Sequence, residues 1–120
     1  MPLEASVQRI DPDIAVFTLS GPLTLGTNLK TIEGTIQKAI DTGASRLVFD
    51  LAASPYADSA GLGTLIHTSG LVAQRGGQMR LAAVPDRILS MLRMTRTDAL
   101  MPSDADVPAS LAAFGSPQEI

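Results

Sequence analysis

Arg46-Leu47-Val48-Phe49-Asp50-Leu51, followed after six intervening residues by Asp58-Ser59-Ala60-Gly61-Leu62-Gly63, is the stretch that decides the fold. The first part is a short apolar run, suited to a strand buried on both faces and so to the centre of a sheet. From Ser59 the spacing turns helical: Leu62, Leu65, Ile66, Ser69, Val72 and Ala73 fall on one face, and Gly76-Gly77 ends the element. An acid and a hydroxyl therefore stand at a strand-to-helix junction. Unpaired backbone N–H groups and the positive end of the helix dipole point outward there, so an anion attached to Ser59 is partly stabilised by the helix itself. Asp and Ser are also ordinary N-cap residues that need no further role. Against that simpler reading, Gly61 and Gly63 each cost the helix on the order of 1 kcal/mol relative to alanine. Small residues in that first turn leave the Ser59 hydroxyl approachable by another protein, which makes Asp58, Ser59, Ala60, Gly61, Leu62 and Gly63 candidate partner contacts.

Working outward, Leu3 to Ile10 and Ile14 to Ser20 are split by Asp11-Pro12-Asp13 and read as a hairpin. Leu29, Ile32, Ile36, Ala39 and Ile40 then repeat at helical spacing, with Thr27 or Asn28 as N-cap and Gly43 as the stop. Beyond the second helix, Gln78 to Val84 is a strand and Pro85 opens a helix carrying Ile88, Met91 and Leu92. Leu100-Met101 is expected as a short edge strand stopped by Pro102, and Val107 to Phe114 as a final helix. Leu71 falls among Thr64, His67, Gln74 and Arg75 on the polar side of its helix, an apolar residue expected at the surface and a further candidate contact. The order of elements is that of an α/β domain spanning 1–120, with about four helices on a small mixed sheet of four to five strands. The Ser59 junction lies at the carboxyl end of its central strand, the edge where function gathers in open α/β sheets.

Composition narrows the function. At 120 residues with 45% hydrophobic content the chain can build a real core. A formal charge of −3 with nine scattered basic residues argues against nucleic acid and against a membrane surface. No Cys occurs, so disulfides, thiolate metal sites and cysteine catalysis are excluded. Met-Pro-Leu-Glu has no basic or apolar leader region, and no run of about 18 apolar residues appears. A cytoplasmic chain without cofactor or metal is the expectation.

The same residues resemble a known family. Leu47-Val48-Phe49-Asp50-Leu51, Tyr56-Ala57-Asp58-Ser59-Ala60-Gly61-Leu62-Gly63, Arg75-Gly76-Gly77-Gln78-Met79-Arg80-Leu81 and Val84-Pro85 are similar to a STAS domain of the bacterial anti-sigma factor antagonist type. The resemblance implies a partner switch. Ser59 would be the acceptor for an ATP-bound serine-kinase anti-sigma factor, and a serine phosphatase would reverse the modification. The unmodified domain would bind the kinase and free a sigma factor; the phosphorylated one would let go. Asp58, beside the acceptor, would help shape the kinase contact. A weak homodimer is compatible with the same resemblance. The chain departs from the family pattern in three places: Thr24, a further candidate partner contact, stands where an acidic contact is usual, Ser54 and Ala57 replace larger apolar residues, and Thr95-Arg96-Thr97 replaces Thr-Gly-Leu. Related domains also serve unphosphorylated, as docking modules in stress-sensing or lipid-transport complexes.

An enzyme is the main rival. Ala57-Asp58-Ser59-Ala60 superficially resembles the Gly-Asp-Ser step of some serine esterases. The one histidine, His67, is eight residues further along the same helix, about 12 Å of axial rise. A serine nucleophile needs its base within about 3 Å. Asp50 and Asp58 flank different parts of a strand and loop with no third ligand, so they make no metal site.

Overall fold

The computed structural model describes residues 2–115. A hairpin of β1 (Glu4–Asp11) and β2 (Ile14–Ser20) leads into α1 (Thr27–Asp41), and β3 (Arg46–Ala53), α2 (Ser59–Gln74), β4 (Gln78–Ala82), α3 (Asp86–Met94), β5 (Ser103–Asp104) and α4 (Val107–Gly115) follow. The five strands form one sheet in chain order, β1-β2-β3-β4-β5. β1 runs antiparallel to β2, and every later pair is parallel. The expected mixed sheet with four helices is therefore present, and β3 lies at its centre.

Strand alternation divides the core. Ala15, Phe17 and Leu19 of β2, Leu47, Phe49 and Leu51 of β3, and Met79 and Leu81 of β4 share one face with the buried residues of α1, α2 and α3. Phe17 and Phe49 are register partners whose rings stack with centroids 4.8 Å apart. The other face carries Val16, Val48 and Ala82, which Phe114 of α4 covers. β3 is buried from both sides because helices cover both faces, which is why its sequence reads as an apolar run.

Several boundaries differ from the sequence expectation. Gly26, with extended backbone, is the N-cap of α1 in place of Thr27 or Asn28, and no side chain caps that helix. Gly43 does follow the helix end, with φ 112, a conformation glycine adopts without steric cost. β4 stops at Ala82 because Ala83 turns to φ 54. The last strand is Ser103–Asp104, after Pro102 rather than before it. Met101 is a core residue, 1% exposed, and Leu100 lies in a turn. The apolar Leu100-Met101 pair looks like a strand only because Met101 plugs the core.

α2 also presents its faces differently. Thr64 and Thr68 are buried, while Ser69 and Ile66 are half-buried and Ala73 is exposed. Thr64 Oγ1 donates to Glu33 Oε2 on α1 at 2.6 Å, and Thr68 Oγ1 donates to the Thr64 carbonyl at 2.8 Å. Leu71 is half-buried and packs against the main core. The helix is flanked by α1 as well as by the sheet, so the side expected to face water is partly covered.

Candidate functional site

The parallel strands β2 and β3 end at the same edge, and the two loops that leave them are tied together there. Leu23 N–H donates to the Tyr56 carbonyl at 2.9 Å, Asp58 N–H donates to the Leu23 carbonyl at 3.2 Å, and Leu23 bridges Ala57 in parallel. The side chain of Asp58 completes the join. Its Oδ1 accepts from Gly61 N–H at 2.8 Å and its Oδ2 from Leu25 N–H at 3.0 Å. Hydrogen bonds from Leu25 first and Gly61 second hold the Asp58 carboxyl below its ordinary value, because both favour the charged form.

Asp58 is thus the N-cap of α2. Ser59 is the first helical residue and is exposed, and among the described residues its hydroxyl has no hydrogen-bond partner. The capping duty that either residue could have taken falls to the aspartate alone. Ala60 is half-buried and Gly63 exposed beside Ser59, whereas Gly61 and Leu62 are buried. Gly61 and Leu62 thus lie beneath the site, and Ser59 and Gly63 are the exposed residues of the motif. A Cβ at Gly61 would overlap the Leu23 carbonyl, so this glycine admits the β2–α1 loop. Nothing lies within 4 Å of a Cβ at Gly63.

Thr24 sits half-buried in that loop, between Leu23 and Leu25, and is brought to the same edge. Leu71 is further off, lining a groove of about 280 Å³ between α1 and α2 with Glu33, Ile36, Gly63 and His67. Ala60 lines the same groove, which therefore begins beside Ser59. Three surface residues escaped the sequence reading. Leu25 is 74% exposed, and Tyr56 is exposed with the Arg87 guanidinium 4.8 Å from its ring centroid. A leucine set among turn residues in Gly21-Pro22-Leu23-Thr24-Leu25-Gly26 was the one available signal. Ser54, by contrast, is fully buried at the start of the β3–α2 loop.

His67 is exposed two turns along α2 from Ser59, and Asp50 Oδ1 accepts from Ala52 N–H at 3.1 Å rather than facing Asp58. Among the described residues, no group of three or more His, Cys, Asp or Glu could hold a metal ion, and no helix is long and apolar enough to cross a membrane.

The STAS domain family model matches residues 6–110, and the chain belongs to that family. Its fold is that of an anti-sigma factor antagonist from Mycobacterium paratuberculosis, with a TM-score of 0.82 at 20% identity over 96% of each chain. The phosphorylated Bacillus cell fate determinant SpoIIAA superposes with a TM-score of 0.71 at 14% identity, over 85% of this chain and 92% of that one. A sulfate transporter family protein from Wolinella succinogenes gives 0.69 at 17% identity over 88% of each. No curated protein matches by sequence.

Proposed function

We propose that this chain is an anti-sigma factor antagonist that works as a phosphorylation-controlled partner switch in the cytoplasm. Unmodified, it binds an ATP-bound serine-kinase anti-sigma factor and releases a sigma factor; phosphorylated on Ser59 it lets go, and a serine phosphatase resets it. The observation that carries this reading is the division of labour at the start of α2. Asp58 makes the cap with both carboxylate oxygens occupied, and the neighbouring Ser59 hydroxyl stands exposed and unengaged. The similarity to a SpoIIAA solved in its phosphorylated form is in keeping with it.

A phosphate adds about −1.5 to −2 charges and three acceptor oxygens. At the first turn of α2 it meets the favourable end of the helix dipole, so the modified chain keeps its fold. Against a partner packed flush on Ser59, Ala60 and Gly63, the same group brings steric overlap and unpaired charge. The ionised Asp58 alongside adds like-charge repulsion. The groove that runs from Ala60 to Leu71 extends this contact along α2.

The test is incubation of the chain with ATP and each kinase-type anti-sigma factor of its own genome, read by intact mass. One added phosphate on the wild type and none on Ser59→Ala supports the switch. No transfer from any kinase favours a second reading, an unmodified docking module, to which the shared fold of the Wolinella transporter family protein lends support.

A further inference from the structure

Ser59 is the first residue of α2, and Arg87 the second of α3. Those helices follow the parallel neighbours β3 and β4 and pack on the same face of the sheet, so their first turns stand at one edge. Arg87 already reaches the loop that ends at Ser59, its guanidinium 4.8 Å from the centroid of the exposed Tyr56 ring. From Tyr56 to Ser59 the backbone spans at most about 10 Å. Among the described residues Arg87 makes no ion pair, whereas Arg46, Arg75 and Arg80 each meet a carboxylate. A cation over an exposed ring is weakly held.

The charges of this edge are lopsided. The loops that leave β2, β3, β4 and β5, with the first helical turns they enter, carry the carboxylates Asp58, Asp86 and Asp106 but only two cations, Lys30 and Arg87. Asp58 gives both oxygens to backbone N–H groups. A phosphate on Ser59 adds negative charge beside it, and the guanidinium over the β3–α2 loop is the group placed to answer. Two parallel N–H bonds from a guanidinium to a phosphate are stronger than its hold on a ring.

We infer that Arg87 is the counter-ion of the modified state: it leaves Tyr56 and donates charge-assisted hydrogen bonds to the phosphate on Ser59 of the same chain. The inference rests on the proposed reading of Ser59 as the acceptor. One guanidinium offsets roughly half of a phosphate's charge of about −1.5 to −2. The remaining charge and the bulk still bar the partner, while a phosphatase has to draw the group away from Arg87. This arginine thus sets how long the chain stays modified and takes no part in the transfer itself.

The experiment installs phosphoserine at position 59 during translation and follows its second pKa by phosphorus NMR in the otherwise wild-type chain, in Arg87→Gln and in Lys30→Gln. Both substituted residues are exposed, and melts of the unmodified proteins check that the fold is kept. A phosphoserine without partners titrates at about 6. The wild-type value is expected at about 5, because a paired arginine favours the dianion. Arg87→Gln should return it to about 6 and Lys30→Gln should leave it at the wild-type value. The helix dipole acts on all three proteins alike, so the difference reads the arginine. Equal values in Arg87→Gln and wild type overturn the inference, and so does a shift that only Lys30→Gln removes. Because no kinase is used, the two readings fail separately: absence of transfer from every kinase removes the switch, whereas an unmoved pKa in Arg87→Gln removes the counter-ion alone.

Discussion

Asp58 Oδ2 accepts the backbone N–H of Leu25 at 3.0 Å, across 33 residues of sequence, while its Oδ1 caps α2 through Gly61. One carboxylate therefore fixes both the helix start and the loop beside it. Removing it in Asp58→Ala is expected to cost about 2 kcal/mol, roughly 1 for the cap and 1 for the bond to Leu25. Asp58→Asn keeps a single carbonyl oxygen and a good capping residue, and should cost about half as much. Urea unfolding of the three proteins checks the order.

Gly61 and Gly63 are two residues apart and should respond to alanine with opposite signs. At Gly61 the new Cβ overlaps the Leu23 carbonyl, so the loop or the helix must shift, and a loss of about 1–3 kcal/mol follows. At Gly63 the space is open, and alanine raises helix propensity for a gain of up to about 1 kcal/mol. Thermal melts of the two single variants decide this. Equal effects would mean that Leu23 is not in contact with the first turn of α2.

On the opposite face, Asp104 in β5 accepts from Arg80 in β4 at 2.8 and 3.2 Å and from Ser110 of α4 at 2.7 Å. Arg80, and after it the Ser110 hydroxyl, depress the Asp104 carboxyl below its ordinary value against the opposing effect of burial. Both Asp58 and Asp104 thus have a lower value folded than unfolded. Their contribution is present above the ordinary carboxylate value near 3.8 and is lost as pH falls through the folded values. Stability should drop with acid across that window, and Asp104→Asn should flatten the drop while costing about 2 kcal/mol at neutral pH. Chemical denaturation as a function of pH measures both effects. An unchanged slope in the variant would contradict the depressed value.

Most of the architecture was legible in local spacing, because α1 buries Leu29, Ile32, Ile36, Ala39 and Ile40 on one stripe and β3 is covered on both faces. What the spacing missed depends on contacts far apart in sequence. β5 is two residues long and exists through its pairing with β4 and the Arg80–Asp104–Ser110 cluster, none of which leaves a local pattern. Leu71 was expected in water because a helix with one apolar face was assumed; α1 flanks α2 and shelters Thr64 and Thr68, whose hydroxyls bond to Glu33 and to a backbone carbonyl. At the candidate site, the acid and hydroxyl were visible in Asp58-Ser59, but which of them caps the helix was not. The β2–α1 loop decides it, because its Leu25 N–H donates to Asp58 Oδ2 and ties that carboxylate to the helix start. Gly61 likewise reads as a tolerance for approach in the sequence and proves to be the seat of Leu23.

Ser59→Asp places one fixed negative charge where the phosphate would sit. The residue is exposed at the first position of α2, so a carboxylate there should leave stability unchanged or raise it by about 0.5 kcal/mol through the helix dipole. Binding to the cognate kinase should nevertheless weaken by about tenfold or more. Loss of binding accompanied by loss of stability would point to misfolding and not to charge.

The most direct measurement is calorimetric titration of the cognate serine-kinase anti-sigma factor, nucleotide-loaded, with the chain in two forms: unmodified, and carrying one phosphate on Ser59. The unmodified form should bind and the phosphorylated form should bind about 100-fold more weakly or not at all. Equal affinities for the two forms would contradict the claim that charge at this one hydroxyl decides whether the partner can occupy the edge of the sheet.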